Sequence, residues 1–176
     1  KLTLDFPNVT TIRGQFIFPA MKELEILGNK ARISQGVLQP SNGTVSQLSR
    51  LSLSKVSFQS DEMNDLSNFT SLVSVDFNQV QGLEYIQVLP VSMRIIKITD
   101  SPLFALNARC WGRLEFLDEL QIVNSQLKYI RARFFDSFPG LSMVTLTDNE
   151  LTQFSIDEDE LLNLEELELS RNSLTS

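Results

Sequence analysis

Few residues in this chain are equipped for covalent or acid–base chemistry. There is no histidine and a single cysteine, Cys110. That excludes a Ser–His–Asp arrangement, the commonest metal ligand and any zinc site built from cysteines. The seven glycines are scattered, so no glycine-rich loop is present to cradle a phosphate. The acidic run at positions 157–160 is a candidate for a hard cation. Its carboxylates are consecutive and lack a loop-forming glycine, which favours a solvated acidic turn. We therefore expect no catalysis, no cofactor and no bound metal.

Two kinds of modification chemistry remain. Asn8, Asn42 and Asn68 each stand two residues before a threonine, the acceptor pattern for N-glycosylation. Cys110 is either a buried free thiol or one half of a disulfide to another segment or chain, and its sequence context is compatible with both.

Charge narrows the partners. Fifteen basic and 22 acidic residues leave a net charge of −7, which argues against a general nucleic-acid binder. Acid is concentrated between 151 and 170, just after the basic residues Arg109, Arg113, Lys128, Arg131 and Arg133. A solvated surface and a charged docking patch both fit that asymmetry. No run of about 18 apolar residues is present, so no membrane span is expected within these residues. No signal peptide opens the chain either.

The elements that must position these groups form a repeat. Leu117, Leu120, Ile122 and Leu127 fall at offsets 0, 3, 5 and 10, and Leu141 restarts the pattern. Frames begin at Met21, Leu48, Leu72, Met93, Leu117, Leu141 and Leu164, after an incomplete first frame holding Leu2 and Leu4. Offsets 3 and 5 leave one face of a short strand, so they point inward, while offsets 2, 4 and 6 point outward. One coil cannot bury its own apolar face, so stability must come from stacking. Offset 8 holds Asn29, Asn149 and Asn172, with Ser101 and Ser125 as partial substitutes and Pro7, Val56 and Val80 unable to serve. This predicts a broken asparagine ladder, less regular in the middle than at the C-terminal end. The aromatics Trp111, Phe135 and Phe138 are expected in the core, Phe135 and Phe138 sharing a face of a short helical turn. The turn-rich stretch 39–43 should bulge outward. Pro90 favours an extended connection.

The whole chain resembles the extracellular leucine-rich-repeat superfamily of animals, of the Toll-like-receptor and insect immune type, best in the frames at Leu117 and Leu141. The resemblance implies an α/β solenoid, a curved right-handed superhelix with a concave parallel sheet and a mostly irregular convex side. Residues 1–176 then form one leucine-rich-repeat domain of about eight repeats. They read as a piece of a longer solenoid, since the disulfide-bonded caps of that family are not visible. It also implies a secreted or cell-surface, non-catalytic module that recognises a protein partner, most plausibly in innate immunity, with homo- or heterodimerisation compatible. Adhesion, guidance or matrix assembly is the alternative. An intracellular scaffold fits the single cysteine but not the glycosylation pattern. On the outward face, Ile95, Val123 and Met143 come from successive frames. With Lys97, Glu119, Gln121 and Thr145 around them, they are the expected partner contacts, an apolar centre in a polar rim.

Overall fold

The computed structural model describes residues 1–14, 16, 19–34, 37–38, 46–58, 64–106, 111–156 and 159–175. These form a parallel β-solenoid with almost no helix: one-turn 3-10 helices at Leu83–Tyr85 and Phe135–Ser137 are the helical elements among them. Each frame contributes one strand to a continuous sheet. In chain order the strands are β1 (Leu2–Phe6), β2 (Glu23–Ile33), β3 (Arg50–Ser57), β4 (Ser74–Asn78), β5 (Ile95–Thr99), β6 (Glu119–Val123), β7 (Met143–Thr145) and β8 (Glu166–Glu168). They pair in that order, all parallel. Thr11–Ile12 adds to the far end of β2. Two further parallel pairs, Asn64–Asp65 with Ile86–Val88 and Ala105–Leu106 with Tyr129–Ile130, lie away from the main sheet.

The register explains the inward face. Leu24, Leu51, Val75, Ile96, Leu120 and Val144 stand opposite one another from coil to coil and are buried. A parallel row two residues on runs through Ile26, Leu53, Phe77, Ile98, Ile122 and Leu146, also buried. Full burial of one such side chain stabilises by about 1.5–3 kcal/mol, realised only when the next coil is stacked. The carbonyls of Lys22, Ser49, Val73, Arg94, Asp118 and Ser142 each accept two successive N–H groups from the following coil, fixing where every strand begins. The far side closes over Leu103, Leu106, Leu114, Leu127 and an aromatic cluster. Phe134 lies at the centre of that cluster, with ring centroids 5.0 Å from Phe138, 5.2 Å from Phe135 and 6.2 Å from Trp111. Phe135 and Phe138 bracket the expected helical turn, and Pro90 opens a tight turn closed by the Met93 N–H onto its carbonyl at 3.0 Å.

Past each outward strand the chain turns a corner through a left-handed residue. Lys55, Gln79, Asp100, Asn124, Asp148 and Arg171 occupy equivalent positions with φ between 50° and 57°. The next residue points into the interior, and here two chemistries close the corner. At Ser101, Ser125, Asn149 and Asn172, side chains bond to neighbouring coils. The Ser101 hydroxyl accepts the Val80 N–H at 2.9 Å, and Ser125 accepts the Ser101 N–H at 3.3 Å. The Asn149 Oδ1 accepts the N–H of Ser125 at 2.9 Å and of Leu127 at 3.2 Å, while its Nδ2 donates to the carbonyls of Ile122 and Thr147. Asn172 repeats this toward Leu146, Leu151 and Leu169.

Earlier in the chain the interior position is apolar. Ala31, Val56 and Val80 are buried there; backbone pairing closes the corners at Ala31 and Val56, while the Val80 N–H still reaches the Ser101 hydroxyl. Strand pairing continues around the corner through Thr11–Arg32, Ala31–Val56 and Ser57–Gln81. Asn29 therefore does not belong to the ladder, contrary to the spacing argument. A register shift between Leu27 and Ala31 inserts two residues into β2, so Ala31 takes the interior place. Asn29 is left exposed, donating to the Pro7 carbonyl at 3.3 Å.

Candidate functional site: the outward face of the sheet

The outward face is a grid of three rows set by the strand register. The first row runs Glu23, Arg50, Ser74, Ile95, Glu119, Met143, Glu166. The second runs Thr3, Glu25, Ser52, Asp76, Lys97, Gln121, Thr145, Glu168. The third includes Leu27, Ser54, Asn78, Thr99 and Val123.

This grid brings some of the expected contacts together and separates others. Ile95 and Met143 flank Glu119, and Lys97 and Thr145 flank Gln121. Val123 stands four residues along its strand from Glu119, about 13 Å at strand rise. A contiguous apolar centre of Ile95, Val123 and Met143 is therefore not formed. Its middle is polar: Glu119 takes the Lys97 ammonium at 2.9 Å and the Gln121 amide at 2.6 Å. The spacing argument counted frames correctly but did not resolve that offsets 2 and 6 lie two pleats apart.

The strongest feature lies toward the N-terminal strands. A depression of about 470 Å³ opens over β2 to β5, lined by Glu23, Arg50, Ser52, Ser74, Asp76, Ile95 and Lys97 among others. Most of its charges are paired. Lys1 reaches Glu25 at 3.2 Å, and Arg50 approaches Glu23 at 3.9 Å. A hydrogen bond from Thr3 at 2.9 Å and another from Lys1 hold the Glu25 carboxyl below its usual range. Asp76 differs. It has no hydrogen-bond or ion-pair partner among the described residues. The surrounding protein desolvates its carboxyl and pushes it above the usual range, with Glu25 adding to the effect and Lys97 opposing it. Lys97, its neighbour in the row, is drawn diagonally to Glu119 instead. Asp76 is exposed to solvent on this face, where a hydrogen-bond donor or cation from outside can reach it. Sequence reasoning placed Asp76 on the outward face but had no signal to single it out, because its character comes from what Lys97 does.

Two glycosylation candidates lie off this face. Asn8 and Asn68 are exposed, as are Thr10 and Thr70 two residues on, and neither asparagine is in a strand. Asn42, Cys110 and the 39–43 stretch lie outside the described residues, as do Asp157 and Glu158 of the acidic run; Asp159 is exposed and Glu160 buried. Among the described residues no group of three or more acidic, histidine or cysteine side chains is placed to hold a metal ion. No helix among them is long and apolar enough to cross a membrane.

No family model and no curated protein matches the chain. The functional reading therefore rests on the geometry and on the repeat pattern.

Proposed function

We propose that this chain is a leucine-rich-repeat recognition module of a secreted or cell-surface protein, non-catalytic, whose outward sheet face binds a protein partner. The observation that carries the reading is the depression around Asp76, where an exposed carboxylate without an ion pair stands among charges that are paired. Rigid strands hold its rim, Ile95 supplies an apolar contact beside it, and Asp76 is free to take a lysine or arginine from the partner. Innate immune recognition is the setting we favour, on the resemblance of the repeat. The extracellular setting draws support from the exposure of Asn8 and Asn68 away from the sheet, where glycans would leave the outward face bare.

A photo-crosslinker at Ser52, on the rim, tests the reading against extracellular fluid of the source tissue. One at exposed Gln153, off the sheet, is the control. A protein adduct specific to Ser52 and lost in Asp76→Lys is expected. Equal labelling at both positions would remove the outward face from the reading. Intact mass before and after N-glycan removal checks the compartment, with loss expected at Asn8 and Asn68.

One observation favours adhesion or self-assembly as a second reading. Phe104 and Tyr129 are 53% and 42% exposed, stacked edge to face at 5.3 Å, with Lys128 5.0 Å over the Phe104 ring. An exposed aromatic pair off the sheet suits a lateral contact. Phe104→Ser would weaken such a contact and leave binding at the outward face unchanged.

A further inference from the structure

A second depression, of about 360 Å³, lies at the corner beyond the strands, among Asn29, Lys30, Lys55, Gln79, Gln81, Asp100 and Pro102. Lys30 and Lys55 are the left-handed corner residues of successive coils, with φ of 63° and 55°. Each directly precedes a residue of the Ala31–Val56 pair, so the two lie on neighbouring coils and line the same depression. Both are exposed, and neither has an acidic partner among the described residues. Farther along the same column the corner carboxylates have partners. Asp100 accepts the Asn124 amide at 2.6 Å, and Asp148 is held by Arg171. Two like charges lining one depression from neighbouring coils repel one another. Left-handed backbone also favours Asn, Asp or Gly over lysine.

We propose that this corner binds a sulfated sugar, with the sulfate between the Lys30 and Lys55 ammonium groups. A tetrahedral oxyanion neutralises both cations and accepts their hydrogen bonds. The space exceeds what one such anion fills. Beyond it, the Gln79 and Gln81 amides and the Asp100 carboxylate offer donors and acceptors suited to sugar hydroxyls. Asp100 repels a second anionic group at that end, so the ligand carries its charge at one side.

The test is a backbone NMR titration of the whole chain at constant ionic strength with three probes: inorganic sulfate, a mono-sulfated disaccharide and its unsulfated counterpart. Saturable shifts are expected at Lys30, Lys55, Gln79 and Gln81. The sulfated disaccharide should act at roughly a tenfold lower concentration than inorganic sulfate, and the unsulfated sugar should have no effect. Changing both lysines to glutamine should weaken binding at least about tenfold. Glutamine suits this corner, since Gln79 already holds the same conformation with φ of 53°, so the double variant should fold. Non-saturating or scattered shifts, unchanged binding in the double variant, or equal response to the unsulfated sugar would each overturn the proposal. Inorganic sulfate binding as tightly as the sulfated disaccharide would overturn its sugar component.

Discussion

Asn149→Ala is the sharpest test of how the C-terminal coils are held together. Asn149 is 7% exposed and makes four hydrogen bonds with backbone groups: the N–H groups of Ser125 and Leu127, and the carbonyls of Ile122 and Thr147. Each buried backbone group left without a partner costs about 1–3 kcal/mol. A water entering the space vacated by the amide recovers part of that, so the expected loss is about 3–4 kcal/mol. Ser125→Ala, which removes one hydroxyl accepting from Ser101 and donating to Val123, should cost about 1–2 kcal/mol. Because each coil touches only its neighbours, the loss should be local. Native-state hydrogen exchange is the assay. Protection of Ser125, Leu127 and the strands β6 and β7 should fall by about 100-fold or more, at 1.4 kcal/mol per decade, while β2 and β3 change little. A loss below about 1 kcal/mol, or one spread evenly from β2 to β7, would refute the ladder argument.

Three further outcomes follow from the packing and charges. Gly140→Ala places a Cβ 2.7 Å from the Glu115 carbonyl oxygen, a backbone clash expected to cost about 1–3 kcal/mol in urea unfolding. Phe134→Ala removes the ring shared by Trp111, Phe135 and Phe138 and should cost about 3–5 kcal/mol, with near-ultraviolet circular dichroism of Trp111 altered. The carboxylates should titrate in opposite directions, as read by carbon NMR: Asp76 above 3.8 and Asp148, hydrogen-bonded by Arg171, below it. The Asp148 contribution to stability is then present above pH 3.8 and lost as pH falls through its folded value. That of Asp76 is present below 3.8 and lost as pH rises through its folded value, so Asp76→Asn should be neutral or stabilising at pH 7.

The inward face was legible because a strand has a period of two and the coil a near-constant length. Offsets 3 and 5 locate the buried rows from Leu24 to Leu146 without reference to any tertiary fact. The corner was legible only where the coil length was regular. Asn149 and Asn172 sit where spacing placed them, but the two residues inserted before Ala31 moved Asn29 out of register, and nothing local to Asn29 betrays the shift. The candidate site was less legible still. Periodicity names outward residues but not which cross-strand partner a long side chain selects. The register puts Glu119 between Ile95 and Met143 and Val123 two pleats away, which breaks the expected Ile95–Val123–Met143 patch, and Lys97 pairs with Glu119 in another row, which leaves Asp76 without an ion pair. The far side keeps the expected helical turn at Phe135–Ser137; elsewhere on it short parallel bridges such as Ala105–Leu106 with Tyr129–Ile130 form, because stacking aligns extended segments there too.

The change of corner chemistry between Val80 and Ser101 also sets how much length variation each half of the chain tolerates. A backbone-closed corner asks only that some extended residue meet some extended residue, so it absorbs the two extra residues of β2. A side-chain ladder measures distance: an asparagine must reach particular carbonyls of the coil before it. Along the ladder, Ser101 to Ser125 and Ser125 to Asn149 are each separated by 24 residues and Asn149 to Asn172 by 23, whereas the step from Val80 to Ser101, where the ladder begins, is 21. The C-terminal coils thus act as a ruler that holds repeat length to within one residue. The N-terminal coils, free of it, are where insertions and deletions can accumulate without unstacking the sheet.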